Sequence, residues 1–390
     1  MAETTNEKNS GVVTQLLEDI FEIGAIYYQT DSLLISLTTR FNRQQSIKMV
    51  SDRLNSAGYE FAFHDSDGEL FIRINPNPRF RIPIINVVLF LTTLVTVYFI
   101  PVFMRHYFAV NSTMGFYGSA GTTTLSIWQG IELTMFEFLM AFNTTLDALA
   151  AGAGIEFTLA MISILFVHEM GHFIASRRRN IVTSWPYFIP APNIIGTFGA
   201  IIKSKSPFWN RRDLIEVGAA GPIAGWIVAV AWLAYGLSQS VCVPAETILL
   251  PDMAHGLHGE SILMKLFTLD LVGAAPVGYA YKLTEAAFAG WVGLLVTAIN
   301  LLPIGQLDGG HILYGLWRRK QHILGYIAMA ALLLLGIQSM IWWFFAIFGI
   351  IFGVKHPPTL KKKKKTGGTA TGMGILAIFI LILSFTPVPF

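Results

Sequence analysis

The stretch FTLAMISILFVHEMGHFIAS, from Phe157 to Ser176, decides the fold class of this chain. Its twenty residues are almost all apolar, and Glu169 is their only carboxylate. At about 1.5 Å per residue, a helix of this length extends roughly 30 Å, which is the thickness of the hydrocarbon core of a bilayer. The stretch therefore predicts a transmembrane helix that carries His168, Glu169 and His172.

The spacing of the two histidines indicates a metal site. Side chains four residues apart project from the same face of a helix, so both imidazoles can bind one metal ion. Either histidine alone would more simply be a hydrogen-bonded structural residue. Two histidines around a carboxylate at membrane depth are costly, which favours a functional reason. Glu169 is then placed to take a proton in a metal-assisted hydrolysis.

Composition extends this reading to the whole chain. Of its 390 residues, 53% are hydrophobic and only 13% are charged, and the mean hydropathy is +0.56. Soluble domains carry about 25% charged residues, so a polytopic membrane protein is expected. The single cysteine, Cys242, excludes an intrachain disulfide framework and a cysteine-based zinc site. The net charge of +3 gives no reason to expect a nucleic-acid partner.

The first 80 residues form the most polar segment and predict a small soluble α+β domain, with regulation as one function. Ile47, Val50 and Leu54 have helical spacing, and two strands flank a turn at residues 65–68. His64, beside that turn, is expected at the surface. The N-terminus has acidic residues and no apolar core, so it predicts neither a signal peptide nor a transit peptide.

Seven apolar segments predict transmembrane helices: 84–103, 155–176, 214–237, 284–303, 322–338, 341–354 and 372–388. Basic clusters between them alternate consistently if they face the cytoplasm, which places the N-terminus there. Residues 131–150 contain three acids and predict an amphipathic helix at the outer surface, and 341–354 is short enough to be re-entrant. We expect an all-α polytopic membrane protein with four parts: the soluble domain 1–80, the first span and external segment 81–153, the core 154–315, and the C-terminal helices with a basic loop 316–390.

Asp308 is the candidate for a third metal ligand. It lies in a segment broken by Pro303 and the glycines at 305, 309 and 310, ten residues before Arg318, much as His168 lies nine before Arg177. Equal distances from the basic clusters predict similar depth in the membrane. Asp308 could instead cap the helix that follows.

Asn300 is a candidate catalytic residue. Its amide would donate a hydrogen bond to an oxyanion or to backbone groups left unpaired where the helix is broken. His311 is either a second-layer donor or an ordinary interfacial histidine.

Prolines at 186, 190 and 192, followed by alternating small and apolar residues, predict a re-entrant β-hairpin with a turn near Asn193. Its edge would bind an extended peptide through main-chain hydrogen bonds, and the candidate substrate-binding residues are Gly196, Thr197, Phe198 and Gly199. The alternative is a packing plug over the site. Gly221 and Gly225, four residues apart, predict close helix packing and no catalytic role.

These residues resemble the site-2 protease family of intramembrane zinc metalloproteases, peptidase family M50. The resemblance rests on VHEMGHFIA (Val167–Ala175), GAAGPIAG (Gly218–Gly225) and NLLPIGQLDGG (Asn300–Gly310). PYFIPAP and GTFGAIIKSKSP are similar to the branch with the plant chloroplast EGY-type proteases and their prokaryotic relatives. The resemblance implies Zn²⁺ bound by His168, His172 and Asp308, with Glu169 as the catalytic acid/base.

The expected function is hydrolysis of peptide bonds in or near transmembrane segments of membrane proteins. The expected partners are substrates with a transmembrane helix and the lipid bilayer, in a prokaryotic cell membrane, and the sequence does not define the oligomeric state. Two alternatives remain at this point: a metal-ion or proton transporter that uses the same polar groups, and a non-catalytic membrane scaffold.

Overall fold

The computed structural model describes residues 13–29, 32–40, 42–56, 59–66, 69–75, 82–119, 127–179, 181, 183–204, 208, 210–245, 259–356 and 366–389. The chain divides into two compact units. The first comprises residues 1–83, 176–184 and 204–207, and the second comprises 84–175, 185–203 and 208–390.

The first unit is built on a four-stranded antiparallel sheet. Its elements are β1 (Phe21–Gln29), β2 (Ser32–Thr39), α1 (Arg43–Ser56), β3 (Glu60–Ser66) and β4 (Glu69–Asn75), and the strand order is β1-β2-β4-β3. Val50 and Leu54 of α1 are fully buried in one core with Ile35 and Ile72 of the sheet. The predicted helix and its two following strands are therefore confirmed, whereas β1 and β2 had not been predicted.

His64 is not a surface residue, and that expectation is wrong. It lies in β3 opposite Phe71 and is only 8% exposed. The same side of the sheet also buries Arg73, whose Nε and Nη2 donate to Ser32 Oγ at 2.9 and 2.8 Å. Burial, together with the positive charge of Arg73, lowers the pKa of His64 to about 4. The side of the sheet that carries His64 and Arg73 is thus covered, and this burial explains why His64 is not at the surface.

The second unit is helical. Its first elements are α2 (Ile84–Ser119), α3 (Ile127–Ala150), α4 (Ile155–Arg178, whose last residues belong to the first unit), β5 (Tyr187–Pro190), β6 (Thr197–Ile201) and α5 (Arg211–Ser238). They are followed by β7 (Val241–Pro244), α6 (Ile262–Leu271), β8 (Tyr279–Lys282), α7 (Glu285–Asn300), α8 (Asp308–Trp317), α9 (Gln321–Leu335), α10 (Met340–Phe352) and α11 (Gly368–Ser384).

Three of these helices contain stretches long and apolar enough to cross a membrane: Ile84–Asn111, Ile155–Arg178 and Arg211–Ser238. Four shorter apolar stretches coincide with the other predicted spans: Glu285–Asn300, Gln321–Leu335, Met340–Ile351 and Gly368–Ser384. The mostly helical membrane architecture is confirmed. The first helix is longer than the predicted segment 84–103, because it continues through Pro101 to Ser119.

Helix α3 packs beside α2 and is not among the three long apolar stretches found in the described residues. Tyr98 donates its hydroxyl to the Leu149 carbonyl at 2.9 Å, and the rings of Phe103 and Phe138 lie 5.3 Å apart. The contact runs along the half of α2 that follows Tyr98.

The centre of the second unit is formed by α4, α5 and α7. Small residues bring their backbones together: a Cβ on Gly290 of α7 would lie 2.5 Å from the Leu233 nitrogen of α5, and one on Gly293 would lie 2.8 Å from Ile164 of α4. Trp232 donates its indole N–H to Ser163 Oγ at 2.9 Å. Protein cores are closely packed and have few voids. The contacts with α5 and α7 therefore fix the position of α4, the helix that carries the polar residues.

Candidate metal centre

Helix α4 buries the two histidines and the glutamate of its polar group. His168 and Glu169 are 5% and 6% exposed, and His172 is half-buried one turn further along. The two imidazole Nε2 atoms lie 3.2 Å apart. The helical spacing thus places both rings toward one point, as predicted.

Asp308 joins the histidines from the first turn of α8. Its Oδ2 lies 3.5 Å from His168 Nε2 and 3.3 Å from His172 Nε2. Leu307 occupies the N-cap position of α8 and makes no side-chain cap hydrogen bond, so the alternative of Asp308 as the capping residue is excluded. Among the described residues, these three side chains form the group that could hold a metal ion.

The three separations fit a zinc ion. A tetrahedral zinc with bonds of about 2.0–2.1 Å keeps its nitrogen and oxygen ligands ~3.3 Å apart. The observed separations of 3.2, 3.3 and 3.5 Å agree with that value. Two imidazoles and a carboxylate leave one tetrahedral position open, which is typical of catalytic zinc sites.

The second ring nitrogen of His172 determines how the ring is oriented. Nδ1 lies 2.8 Å from the Val217 carbonyl oxygen of α5, and since a carbonyl can only accept, Nδ1 carries the proton. The lone pair of the neutral ring is then on Nε2, the atom that faces Asp308. Such outer contacts fix both the tautomer and the direction of a metal-binding histidine.

The small residues of α5 make room for the histidines, a role that the sequence reading did not assign to them. A Cβ on Gly221 would fall on the His172 ring, and a Cβ on Gly225 would lie 2.9 Å from His168 Cβ. On the α4 side, a Cβ on Gly171 would lie 2.6 Å from the Ala220 carbonyl oxygen. The close helix packing predicted for Gly221 and Gly225 is present, and what it packs against is the pair of candidate metal ligands.

The loop before α8 also depends on glycine. Added Cβ atoms would collide with the Leu301 carbonyl oxygen at Gly309 and with the Gly305 carbonyl oxygen at Gly310. The chain therefore folds back tightly onto the first turn of α8, and this fold-back places Asp308 beside the histidines.

The predicted hairpin is present as antiparallel β5 and β6 with a turn at Asn193. The Asn193 side chain accepts from the Ile195 and Gly196 N–H groups at 3.0 and 2.9 Å. The hairpin packs on α2: Asn86 donates to the Pro186 carbonyl at 2.8 Å, and a Cβ on Gly196 would lie 2.5 Å from the Thr96 carbonyl oxygen.

The four hairpin residues predicted to bind substrate differ in their surroundings. Thr197 is buried, and its hydroxyl donates to the Ile189 carbonyl at 2.8 Å. Phe198 is 63% exposed, Gly199 has open space around it at a φ of 93°, and Gly196 faces α2. Just beyond β6, the Ile202 backbone lies close to the Glu169 carboxyl group. This contact places the end of the hairpin beside the glutamate.

Asn300 and His311 are the two remaining residues that the sequence suggested for the site. Asn300 is the last residue of α7 and is half-buried. His311, one turn after Asp308, lies 2.8 Å from His356 through Nδ1 and Nε2, and its ring contacts Phe208. His311 is thus paired inside the protein, which agrees better with the second-layer alternative than with the interfacial one.

Comparisons with known proteins show which family and relatives this chain is similar to. Residues 156–343 match the model of peptidase family M50. The chain is similar to the probable zinc metalloprotease EGY2, chloroplastic, of Oryza sativa subsp. indica, with 32% identity over 243 residues, covering 61% of this chain and 44% of the relative. It is 29% identical over 281 residues to EGY2 of Arabidopsis thaliana (71% and 49%), and 30% identical over 244 residues to EGY1 of that species (60% and 43%).

The chain spans less than half the length of these curated relatives. No solved structure matches it. The matched region contains all three candidate ligands and Glu169. Residues 156–343, just under half of the chain, are therefore the part that is similar to peptidase family M50.

Proposed function

We propose that this protein is an intramembrane zinc metalloprotease that hydrolyses peptide bonds in or near the transmembrane segments of membrane proteins. One observation carries the proposal. The side-chain atoms of His168, His172 and Asp308 lie close enough together to bind one metal ion, and Glu169 is next to His168 on an apolar helix. In this proposal, His168, His172 and Asp308 hold the zinc ion.

When bound, zinc lowers the pKa of its water toward ~7 and polarises the scissile carbonyl. Glu169 accepts the proton of the attacking water and passes it to the leaving nitrogen. His172, oriented by the Val217 carbonyl, presents Nε2 in the form that binds a metal. Asn300 is proposed to donate a hydrogen bond from its side-chain amide to the developing oxyanion. Its position at the end of α7, directly before the loop that leads to Asp308, supports this role.

The hairpin is proposed to hold the substrate. A helix hides its peptide bonds in its own hydrogen-bond ladder, so a substrate must be extended locally before it is cut. β6 pairs with β5 on one side, and its other edge is proposed to add the substrate as a strand. Gly196, Thr197, Phe198 and Gly199 would shape this edge. The proximity of the Ile202 backbone to Glu169 supports the placement, because it brings the end of β6 beside the proposed acid/base.

We further propose seven transmembrane spans, a hairpin that enters the membrane from the cytoplasmic side, and a cytoplasmic N-terminus. Support comes from the basic clusters between the apolar helices. Residues 1–80 would act as a regulatory domain, 81–153 as the first span and external segment, 154–315 as the catalytic core and 316–390 as the C-terminal spans. A prokaryotic cell membrane and, as the names of the relatives suggest, the chloroplast are the two locations to test by fractionation.

The test compares membrane-protein fragments from cells that express the wild type and cells that express Glu169→Gln at equal levels. Glu169→Gln keeps the size of the side chain and the three metal ligands but cannot accept the proton. Fragments that appear only with the wild type would support the protease and identify its substrates. Identical fragments, together with zinc uptake that depends on His172, would instead support the transporter.

A further inference from the structure

The position of Asp308 depends on an irregular loop, because residues 301–307 join α7 to α8 and Asp308 is the first residue after them. His168 and His172, by contrast, lie within α4 and are fixed by helix packing. Whatever holds the loop therefore determines where the carboxylate meets the histidines.

A buried glutamine holds this loop. Gln321, at the start of α9, is 2% exposed. Its Nε2 donates to the Pro303 carbonyl at 3.2 Å and to the Val354 carbonyl at 3.0 Å. Its Oε1 accepts the His356 N–H at 3.2 Å. One side chain thus joins the loop to the segment 353–356, which follows α10.

The same two parts of the chain are joined again without Gln321. The Gly305 N–H donates to the Val354 carbonyl at 3.0 Å. His356 Nε2 lies 2.8 Å from His311 Nδ1 of α8, and the His356 ring stacks on Tyr314 at 4.6 Å. Segment 353–356 therefore contacts both the loop before Asp308 and the helix after it.

We propose that Gln321 and His356 are positioning residues for Asp308, and we call these two side chains the loop clamp. The clamp sets the direction of the third metal ligand through the loop that precedes α8. This inference rests on the proposed function, since it assigns Asp308 to the metal. Loss of an outer contact of this kind costs about 10–100-fold in metal affinity.

The test measures Zn²⁺ affinity by competition with a chelator and the visible absorption of the Co²⁺-loaded protein, using the purified full chain. Gln321→Leu removes the hydrogen bonds at similar volume, and His356→Ala, at a half-buried site, is the milder variant. The matched control is Gln338→Leu, because Gln338 is exposed in the turn after α9.

We expect Gln321→Leu and His356→Ala to weaken Zn²⁺ binding by about 10–100-fold and to shift the Co²⁺ bands, while Gln338→Leu matches the wild type. Wild-type affinity and an unchanged Co²⁺ spectrum in Gln321→Leu would overturn the clamp. If that variant does not fold, the spectrum of His356→Ala decides in the same way. A wild type that binds no zinc would instead contradict the proposed function itself.

Discussion

Individual residues divide clearly into those whose role the sequence predicts and those whose role depends on the tertiary structure. The four-residue spacing of His168 and His172 predicts a shared metal from helix geometry alone. Asp308 could have been a cap or a ligand, because both roles suit an aspartate before a helix. Only the fold-back of residues 301–307, which brings Asp308 Oδ2 within 3.5 Å of both histidines, excludes the cap.

The contact of Gly221 with His172 leads to a prediction about metal binding. Gly221→Ala places a methyl group on the His172 ring, so we expect Zn²⁺ affinity to fall at least tenfold through a displaced ligand. Gly372→Ala in α11 is the control, since no atom lies within 4 Å of its added Cβ. A helical Gly→Ala change in open space stabilises by about 1 kcal/mol. Chelator competition and thermal unfolding measure both effects, and equal zinc affinity in the two variants would refute the steric account.

At the scale of secondary structure, the hairpin was predictable because prolines exclude a helix and Asn193 favours a turn. Its contacts with α2 and Glu169 were not, since Asn86, Thr96 and Glu169 are distant from it in sequence. In the first unit, β1 and β2 were not predicted, because their apolar runs at 25–28 and 33–35 lack strict two-residue alternation, although Thr30-Asp31-Ser32 between them is a turn signal.

A matched pair of glycines tests whether the backbone of β6 pairs with the substrate. Gly199 and Gly273 both have a φ of 93° and open space around an added Cβ, but only Gly199 belongs to the hairpin. An alanine in such a conformation costs about 1–3 kcal/mol. We expect Gly199→Ala to reduce kcat/KM by about tenfold, with unchanged zinc affinity, as its strain disturbs substrate pairing. Gly273→Ala should cleave normally, and equal cleavage by both variants would favour the packing plug.

For the whole molecule, the seven segments predicted from hydropathy coincide with apolar helices, and among the described residues three of these helices are long enough to span a membrane by themselves. The last residues of α4 and Ser204 belong to the same compact unit as the N-terminal sheet. Periodicity cannot predict such an arrangement, because it depends on contacts between residues more than a hundred positions apart, such as Glu60 and Arg177 at 3.8 Å.

The single cysteine tests the proposed topology in the native protein. Cys242 follows α5, which begins with the basic pair Arg211 and Arg212, so we expect Cys242 on the side opposite to the N-terminal domain. A membrane-impermeant maleimide should label it in intact cells. Met49→Cys in a Cys242→Ser background provides the comparison, as Met49 is exposed on α1. Labelling of residue 49 with protection of Cys242 would reverse the orientation.

The first unit should lose stability in acid because His64 is buried neutral beside Arg73. Its folded pKa of about 4 lies below the ordinary 6.5, so the unfolded chain binds the proton first. The stability is fully present above about pH 6.5 and is lost as the pH falls toward 4. By linkage the loss at pH 5 is about 2 kcal/mol. Hydrogen-exchange protection of residues 60–75 in the full chain measures it, and His64→Gln should remove this pH dependence. Equal pH dependence in that variant would contradict the assignment.

The most direct test of the central claim is cleavage by the purified protein in proteoliposomes, with a substrate taken from the cellular comparison and ¹⁸O-labelled water. Wild type and Glu169→Gln should carry equal zinc. We predict that the wild type cuts within or near the transmembrane segment and leaves one ¹⁸O atom in the new carboxyl group, while Glu169→Gln does not cut. Cleavage of the same bond at the same rate by both proteins would contradict the account.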